Sequence, residues 1–525
     1  MTFTRREAVA LGLSGVFVAP QLFGVKAALA AEDKIVRAVI RQDPGALDPV
    51  ANTSLTSYQM AGFVYDTLVA LDENDEAQPQ MAQSYSVSDD GLEWTFVLRD
   101  GLTFSDGTPV TSADVVPSIR RWSARSTAGK YLMDFIDDIV AEDPKTVKIK
   151  LSEPFGGLVQ VLAAGIPPLV IMQQEDAESD PFTPVERVIG SGPFVLNEQE
   201  TRRGQRYVYD KRDDYVPRDE PASGFAGGKN VLVDRVILEV FADPQTAVSA
   251  LQAGEVDFVQ LIPFELMGQL EEDPDITVDV LEEAGQVGNL RINHLQPPFD
   301  NKLCRQALLW IIDQGAMMQP SFGTSDLAFR CGSSFACGGA MENDANNDWF
   351  NNGPDFDKAR ALLEECGYNG EPVVLLHIVD LLPIFNAGLV LANLMRRAGI
   401  NVQIESMDQA SANQRANSKA PIDQGGWNLY LHSPSAKAFD NPLVSITATA
   451  SGEDGWRGWP QDARHEELRK AWARAASTEE RKEIAREIQA NAYDFVPQIV
   501  WGQWQQPVAY RKELSGFLKV PYMPI

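Results

Sequence analysis

The 525-residue chain has little histidine, little cysteine and a deficit of positive charge: four His, four Cys, and 45 Lys and Arg against 74 Asp and Glu. A formal net charge of −29 leaves no basic footprint for a phosphate backbone, so no nucleic-acid partner is expected. His294, His377, His432 and His465 are widely separated and none pairs at metal-ligand spacing, so no metal site and no other cofactor is expected. The sequence also lacks G-x-S-x-G, H-E-x-x-H, a phosphate loop and a dinucleotide fingerprint. The chain is therefore read as not an enzyme. No segment has the uninterrupted apolar length of a transmembrane helix, so no membrane span is expected.

What is present is a chain of 57.7 kDa with 44% hydrophobic residues, enough for two or three domains. Its acidic balance is that of a solvated surface. Residues 1–30 read as a signal peptide: Arg5-Arg6 follow Thr4, a weakly hydrophobic run extends from Ala8 to Val25, and Ala28-Leu29-Ala30 satisfies the small-x-small cleavage rule. Paired arginines and the late Lys26 resemble a twin-arginine signal, with a departure at Ala8, where Phe is usual; general secretion is the alternative route. Residues 1–30 carry a net +2, so their removal leaves −31, a soluble periplasmic protein. In an oxidising compartment Cys331 and Cys337, which bracket a turn-rich Gly332–Ala336, are expected to form a disulfide. Cys304 and Cys366 lie in helical patterns and are expected to be buried packing residues.

The most legible stretch is Ser88–Val116, SDDGLEWTFVLRDGLTFSDGTPVTSADVV. Three Asp-Gly turns divide it, and between the first two Trp94, Phe96 and Leu98 alternate with Thr95, Val97 and Arg99, the period of a half-buried strand. Thr111 with Asp114 three residues on is a capping box for a helix through Val115–Arg121. The reading is strand, turn, short strand, turn, helix. Elsewhere Ile35–Ile40 alternates as a strand. Val373–Val379, Leu389–Ala398 and Ile400–Ile404 form a βαβ unit that makes a parallel sheet, and Arg464–Asn491 is charged and helical.

The Ser88–Val116 stretch resembles, almost position for position, the signature of family 5 extracytoplasmic solute-binding proteins, which serve ABC importers of peptides, nickel and opines. Further segments follow in the family's order: Val188–Phe194, Leu251–Asp257, Pro297–Ala307, Asp357–Tyr368 and Val496–Trp501. The resemblance covers nearly all of residues 34–520 and makes Ser88–Val116 scaffold. It implies a type 2 periplasmic binding protein: an α/β chain of two lobes, with mixed sheets joined by a two-stranded hinge and an accessory subdomain. Lobe I is expected over 31–47, 186–287 and 497–525, the accessory subdomain over 48–185, and lobe II over 288–496.

The ligand is expected between the lobes. Ser54, Thr56 and Tyr58 offer hydrogen-bonding groups for a cleft wall, or an N-cap cluster for the helix that follows, and both readings hold together. In peptide-binding relatives an Asp three residues after a cleft Trp takes the α-amino group and an Arg after the βαβ strand takes the carboxylate. Here the Trp is Trp427, in Trp427-Asn428-Leu429-Tyr430-Leu431-His432, with Tyr430 in the place of the Asp. In the other place stand Asp380, Leu381 and Leu382, with no Arg. An unpartnered peptide terminus is costly to bury, so a dipeptide held in the usual mode is disfavoured. Asp380 is either a contact for a cationic or hydroxyl-rich ligand or an exposed strand end. Trp427 and Tyr430 offer aromatic faces, unless Trp427 is core. Arg415 is either a donor fork for an anionic group or a solvated helix residue. Asn428 and His432 complete the candidate set.

The expected function is the periplasmic substrate-binding component of an ABC transporter. It takes a small solute, peptide-like or a related polar or cationic metabolite, and works as a monomer with permease and ATPase subunits of the inner membrane. A ligand-sensing partner of a membrane receptor is the alternative from another class, and a secreted hydrolase on the same scaffold a remote third.

Overall fold

The computed structural model describes residues 34–520 apart from Arg41, Thr53, Ile166, Ala476 and Lys519, so the signal-peptide reading of residues 1–30 lies outside the described residues. Two large mixed sheets organise the chain. The first has seven strands in the order Ile276–Asp279, Val508–Arg511, Phe258–Val259, Ile35–Ile40, Arg235–Val240, Arg206–Lys211 and Phe194–Leu196. Its centre is Ile35–Ile40, the strand expected from alternation, which runs parallel to both Arg235–Val240 and Phe258–Val259. Both faces of that strand are covered: Ala38 joins a core with Phe63, Phe194 and Tyr209, and Val39 one with Val248 and Leu251. A strand so enclosed belongs in an α/β layer.

The helix Leu55–Val64 packs on this first sheet, with Phe63 stacked on Tyr209 at 5.1 Å. It therefore belongs to the core of the first sheet. Periodicity shows that a helix has an apolar face; it does not say which sheet receives it.

In the accessory subdomain an antiparallel sheet is ordered Ala82–Val87, Glu93–Leu98, Thr146–Leu151, Ile136–Asp143. Trp94, Phe96 and Leu98 point into its core, as their alternation requires, and Gly91, Gly101 and Gly107 all take positive φ in the three Asp-Gly turns. Asp114 Oδ2 accepts from the Thr111 amide at 2.8 Å, and the capped helix runs Ser112–Arg125, one turn beyond the expected end. The expected short strand is reduced to a single Thr103↔Pro109 bridge. The subdomain core is completed from lobe II by Phe335, Leu443, Leu468, Trp472 and Ile488.

The second sheet is ordered Ala328–Phe329, Gln498–Trp504, Gln286–Ile292, Leu429–His432, Val373–Ile378, Val402–Met407. The βαβ unit is present: Val373–Ile378 and Val402–Met407 pair in parallel around the helix Leu382–Arg397. That helix starts seven residues earlier than expected because Pro383, which would break a helix interior, sits in its first turn. The expected Arg464–Asn491 helix is two, Ala463–Arg474 and Thr478–Phe495, separated where the Ser477 side chain accepts from the Glu480 amide and restarts the helix.

The lobes are joined by one antiparallel ribbon. Ile276–Asp279 pairs with Val508–Arg511 in the first sheet, and the same two chain segments pair again in the second as Gln286–Ile292 and Gln498–Trp504. Gln498–Trp504 is a fully buried strand of the second sheet, and Gln505–Pro507 leads from it to Val508–Arg511 in the first. Gly285 sits at the crossing with φ +73°, and a Cβ there would lie 2.1 Å from the carbonyl oxygen of Trp504. Only glycine fits.

Cys331 and Cys337 are disulfide-bonded, with Cα atoms 5.8 Å apart. Cys304 and Cys366 are also bonded, at 5.6 Å, which corrects their reading as packing residues. The helices Lys302–Leu309 and Phe356–Glu365 lie against each other and bring the two thiols together across 62 residues of sequence. Peptide mapping without reductant should yield both linked pairs. Replacing Cys304 and Cys366 by Ser should lower unfolding stability by about 4 kcal/mol in urea titration, the loop-closure entropy of so long a loop. Thiol labelling of Cys304 in the native oxidised protein would contradict the pairing.

Candidate ligand cleft

Strands Val373–Ile378 and Leu429–His432 run parallel, with Leu375 opposite Leu429 and Leu376 opposite Tyr430. Their C-terminal ends therefore emerge together, the position at which open α/β sheets leave a crevice. The end at His432 leads directly to the hinge: Ser435, three residues on, donates from Oγ to Glu282 Oε1 at 2.6 Å where the chain crosses between lobes. A solute held between the sheets would meet this end of lobe II.

The residues singled out from the sequence fall into three places. Ser54, Thr56 and Tyr58 lie on lobe I. Ser54 caps the Leu55–Val64 helix by accepting from the Ser57 amide at 3.1 Å, while Thr56 and Tyr58 are buried. Burial holds the Tyr58 hydroxyl far above its ordinary pKa, against the opposing effect of Arg125. Asp380 and Arg415 lie at the periphery of lobe II. Asp380 is exposed and accepts from the Gln409 amide at 2.9 Å, tying the end of one strand to the start of the Gln409–Arg415 helix. Arg415 pairs with Glu405 and donates to the carbonyls of Gly425 and Gly426, both at 3.1 Å. Its guanidinium holds the turn that precedes Trp427.

Tyr430 and His432 lie on the strand Leu429–His432 and Trp427 and Asn428 just before it, and they do different work. Trp427 is fully buried in the lobe II core, with Nε1 donating to the Ser418 carbonyl at 3.2 Å. Asn428 is equally buried and stitches backbone: Oδ1 accepts from the Val374 amide at 2.8 Å and Nδ2 donates to the Pro297 carbonyl at 2.9 Å. Tyr430 and His432 point to the opposite face from Leu429 and Leu431, and their rings stack at 5.4 Å. The Tyr430 hydroxyl donates to Asn413 Oδ1, and His432 Nε2 lies 2.9 Å from Asn289 Oδ1.

Five residues absent from the sequence reading join these two: Asn289, Arg291, Asn413, Trp456 and Arg457. Asn289 stands opposite His432 and Arg291 opposite Tyr430 in the sheet register. Arg291 is fully buried; burial alone pulls its guanidinium down to about 9, still cationic at neutral pH. Arg457 donates to Asn413 and Asn417, both at 2.8 Å, and lies over the Tyr430 ring at 5.7 Å. Burial, followed by Arg291 and Arg457, drives the His432 pKa well below its usual range, so the imidazole is neutral. A charged residue inside the strand-like run Val287–Asn293 was the one available signal for Arg291. Nothing in the sequence around Arg457 marked it.

A second polar feature lies where lobe II meets the accessory subdomain, at the ion pair between Lys437 and Asp75. Beside it Asp440 Oδ1 has no hydrogen-bond partner among the described residues. Burial raises the Asp440 carboxyl to about 7; Lys437 opposes the rise, and Asp75 and Glu342 add to it. The folded-state value lies above the ordinary 3.8, so the native chain holds an extra proton between the two values, and stability falls as pH rises from 3.8 through about 7. Asp440→Asn should therefore raise the melting temperature at about pH 8, with a gain on the order of 1 kcal/mol or more, and leave it nearly unchanged at about pH 4. Equal effects in both buffers would contradict this account of the carboxyl.

Two mixed α/β sheets in two lobes joined by an antiparallel ribbon are the build of a two-lobed solute-binding protein. The sequence profile described as bacterial extracellular solute-binding proteins, family 5, middle, matches residues 76–456, and the chain belongs to that family. It is the substrate-binding component of an ABC transporter. It is 40% identical over 522 residues to the Sinorhizobium fredii protein named "Probable peptide ABC transporter periplasmic-binding protein y4tO", covering 99% of this chain and 98% of that one. It is 30% identical over 420 residues to the glutathione-binding protein GsiB of Escherichia coli (strain K12), covering 78% and 75%. Among solved structures, AgaA from A. tumefaciens R10, in complex with agropinic acid, superposes with a TM-score of 0.79 at 25% identity, covering 93% and 95%. DppA from Helicobacter pylori, in complex with the peptide STSA, shares the fold at TM-score 0.77 and 19% identity, covering 93% and 96%.

Proposed function

We propose that the chain captures a small polar solute, peptide-like or related, in the crevice between its two sheets, and that closure about the hinge ribbon commits the solute for delivery to permease and ATPase subunits. The observation that carries this reading is the crossing itself. A single two-stranded ribbon joins the lobes, and the strand ends at Ile378 and His432 open beside it. Two-lobed proteins of this build close by hinge bending, which excludes water and makes a few polar contacts selective. The relatives named for peptide and glutathione, and the neighbour solved with agropinic acid, support a solute of that general size and polarity. Export to the periplasm, by the twin-arginine or the general route, rests on residues 1–30. The chain has no step of covalent chemistry to perform in this role, and Tyr430 and His432 serve as cleft wall.

Thermal-shift screening of the mature protein against di- and tripeptides, glutathione, opine-like conjugates and oligosaccharides tests the reading. A true ligand at a hundred times its dissociation constant stabilises the native state by about 2.7 kcal/mol, a rise of a few degrees, and the rise should grow with ligand concentration. A panel in which no solute raises the melting temperature would contradict capture.

A further inference from the structure

One face of the second sheet carries an unusual set of side chains. Asn289 and Arg291 are two residues apart on one strand, Tyr430 and His432 stand opposite them on a neighbour, and Gln498 stands opposite Arg291 on the other side. All but His432 are nearly or fully buried. Buried polar groups are costly unless partnered, yet Asn289 Nδ2 and Gln498 Oε1 have no hydrogen-bond partner among the described residues. Arg291 has five N–H groups and three acceptors, all carbonyls: Thr447 at 2.7 Å, Arg457 at 2.5 Å and Trp456 at 3.5 Å.

Arg457 is in the same condition. Its partners are the neutral oxygens of Asn413, Asn417 and Tyr430, the last at 3.5 Å. The two guanidinium carbons lie 5.2 and 5.3 Å from the Trp456 ring centroid, so both cations flank one indole. Among the described residues neither arginine has a carboxylate within ion-pair distance, although the chain carries 74 acidic residues against 45 basic ones. Arg291 is wholly enclosed, whereas Arg457 and Trp456 are partly exposed, and Trp456 lies 5.1 Å from His432 at the hinge end of the strand.

We propose that Arg457 receives an anionic group of the solute, a carboxylate set against the exposed side of its guanidinium, with Trp456 and His432 as walls and Arg291 as a fixed positive charge behind it. The proposal rests on the reading of the chain as a solute-capturing protein and names the charge class that its cleft selects. A cationic solute would meet two guanidinium groups that no described carboxylate pairs. A neutral one would leave them without a counter-charge. A planar carboxylate matches the donor fork of arginine, whose charge persists at every pH of interest. Arg291 acts as a positioning residue: through three carbonyls it holds the segment from Thr447 to Arg457 that presents Arg457.

The test is a calorimetric titration of the full mature protein with matched probes: N-acetyl dipeptides, γ-glutamyl dipeptides and agropinic acid, each as the free acid and as its amide. The acids should bind, the amides should bind roughly ten- to a hundred-fold more weakly, and added salt should weaken only the acids. Arg457→Gln should weaken the acids roughly ten- to a hundred-fold and so remove most of the difference between acid and amide, with an unchanged far-ultraviolet circular dichroism spectrum showing that the variant is folded. Arg457→Lys, which keeps the charge and loses the fork, should retain part of the difference. Amides or amines binding as well as acids, or Arg457→Gln preserving the acid preference, would overturn the proposal and leave solute capture standing. If neither these probes nor any member of the broader panel binds, capture itself fails, and this assignment fails with it.

Discussion

The structure depends on one antiparallel ribbon. Ile276–Asp279 with Val508–Arg511, and Gln286–Ile292 with Gln498–Trp504, are the same two lengths of chain paired twice, once in each sheet. The break between the pairings is short and held by specific contacts: Gln503 Nε2 donates to the Ala284 carbonyl at 3.0 Å, Gln505 Nε2 to that of Glu283, and the Ala436 amide to that of Gly285. With Gly285 confined to a left-handed conformation against Trp504, the crossing has little freedom to slip in register.

That arrangement explains where polar residues can be tolerated. The face of the second sheet toward Trp427 and Leu431 is an ordinary apolar core, continuous with Leu375, Leu391 and Trp501. The opposite face near the hinge holds Asn289, Arg291, Tyr430 and His432. Their burial is offset in part by the carbonyls of the segment from Thr447 to Arg457, which crosses over them. Leu443 and Trp472 of lobe II complete the accessory core. Lobe II thus carries a polar face beside the ribbon and shares an apolar core with the accessory subdomain.

Much of the scaffold was legible in the sequence because it is locally determined. The alternation of Trp94, Phe96 and Leu98, the Thr111–Asp114 cap and the βαβ order around Leu382–Arg397 all depend on residues a few positions apart. What could not be read depends on partners far along the chain. The Leu55–Val64 helix has the same apolar residues whichever sheet receives it, and Cys304 meets Cys366 only because two helices pack. The candidate site was divided in the same way. Tyr430 and His432 reach the polar face beside the hinge, whereas Asp380 and Arg415 are engaged with backbone and Glu405, and Asn428 is a backbone stitch. Arg457 comes from a loop that no periodicity describes, and its importance lies in having no carboxylate partner among the described residues, which only the folded arrangement reveals.

We propose that solute binding and lobe closure are one event about the ribbon. Small-angle X-ray scattering of the mature protein, without and with a saturating amount of a solute that raises its melting temperature, tests this most directly. The account predicts a smaller radius of gyration and a narrower distance distribution in the presence of solute. Saturated binding with an unchanged scattering profile would contradict it.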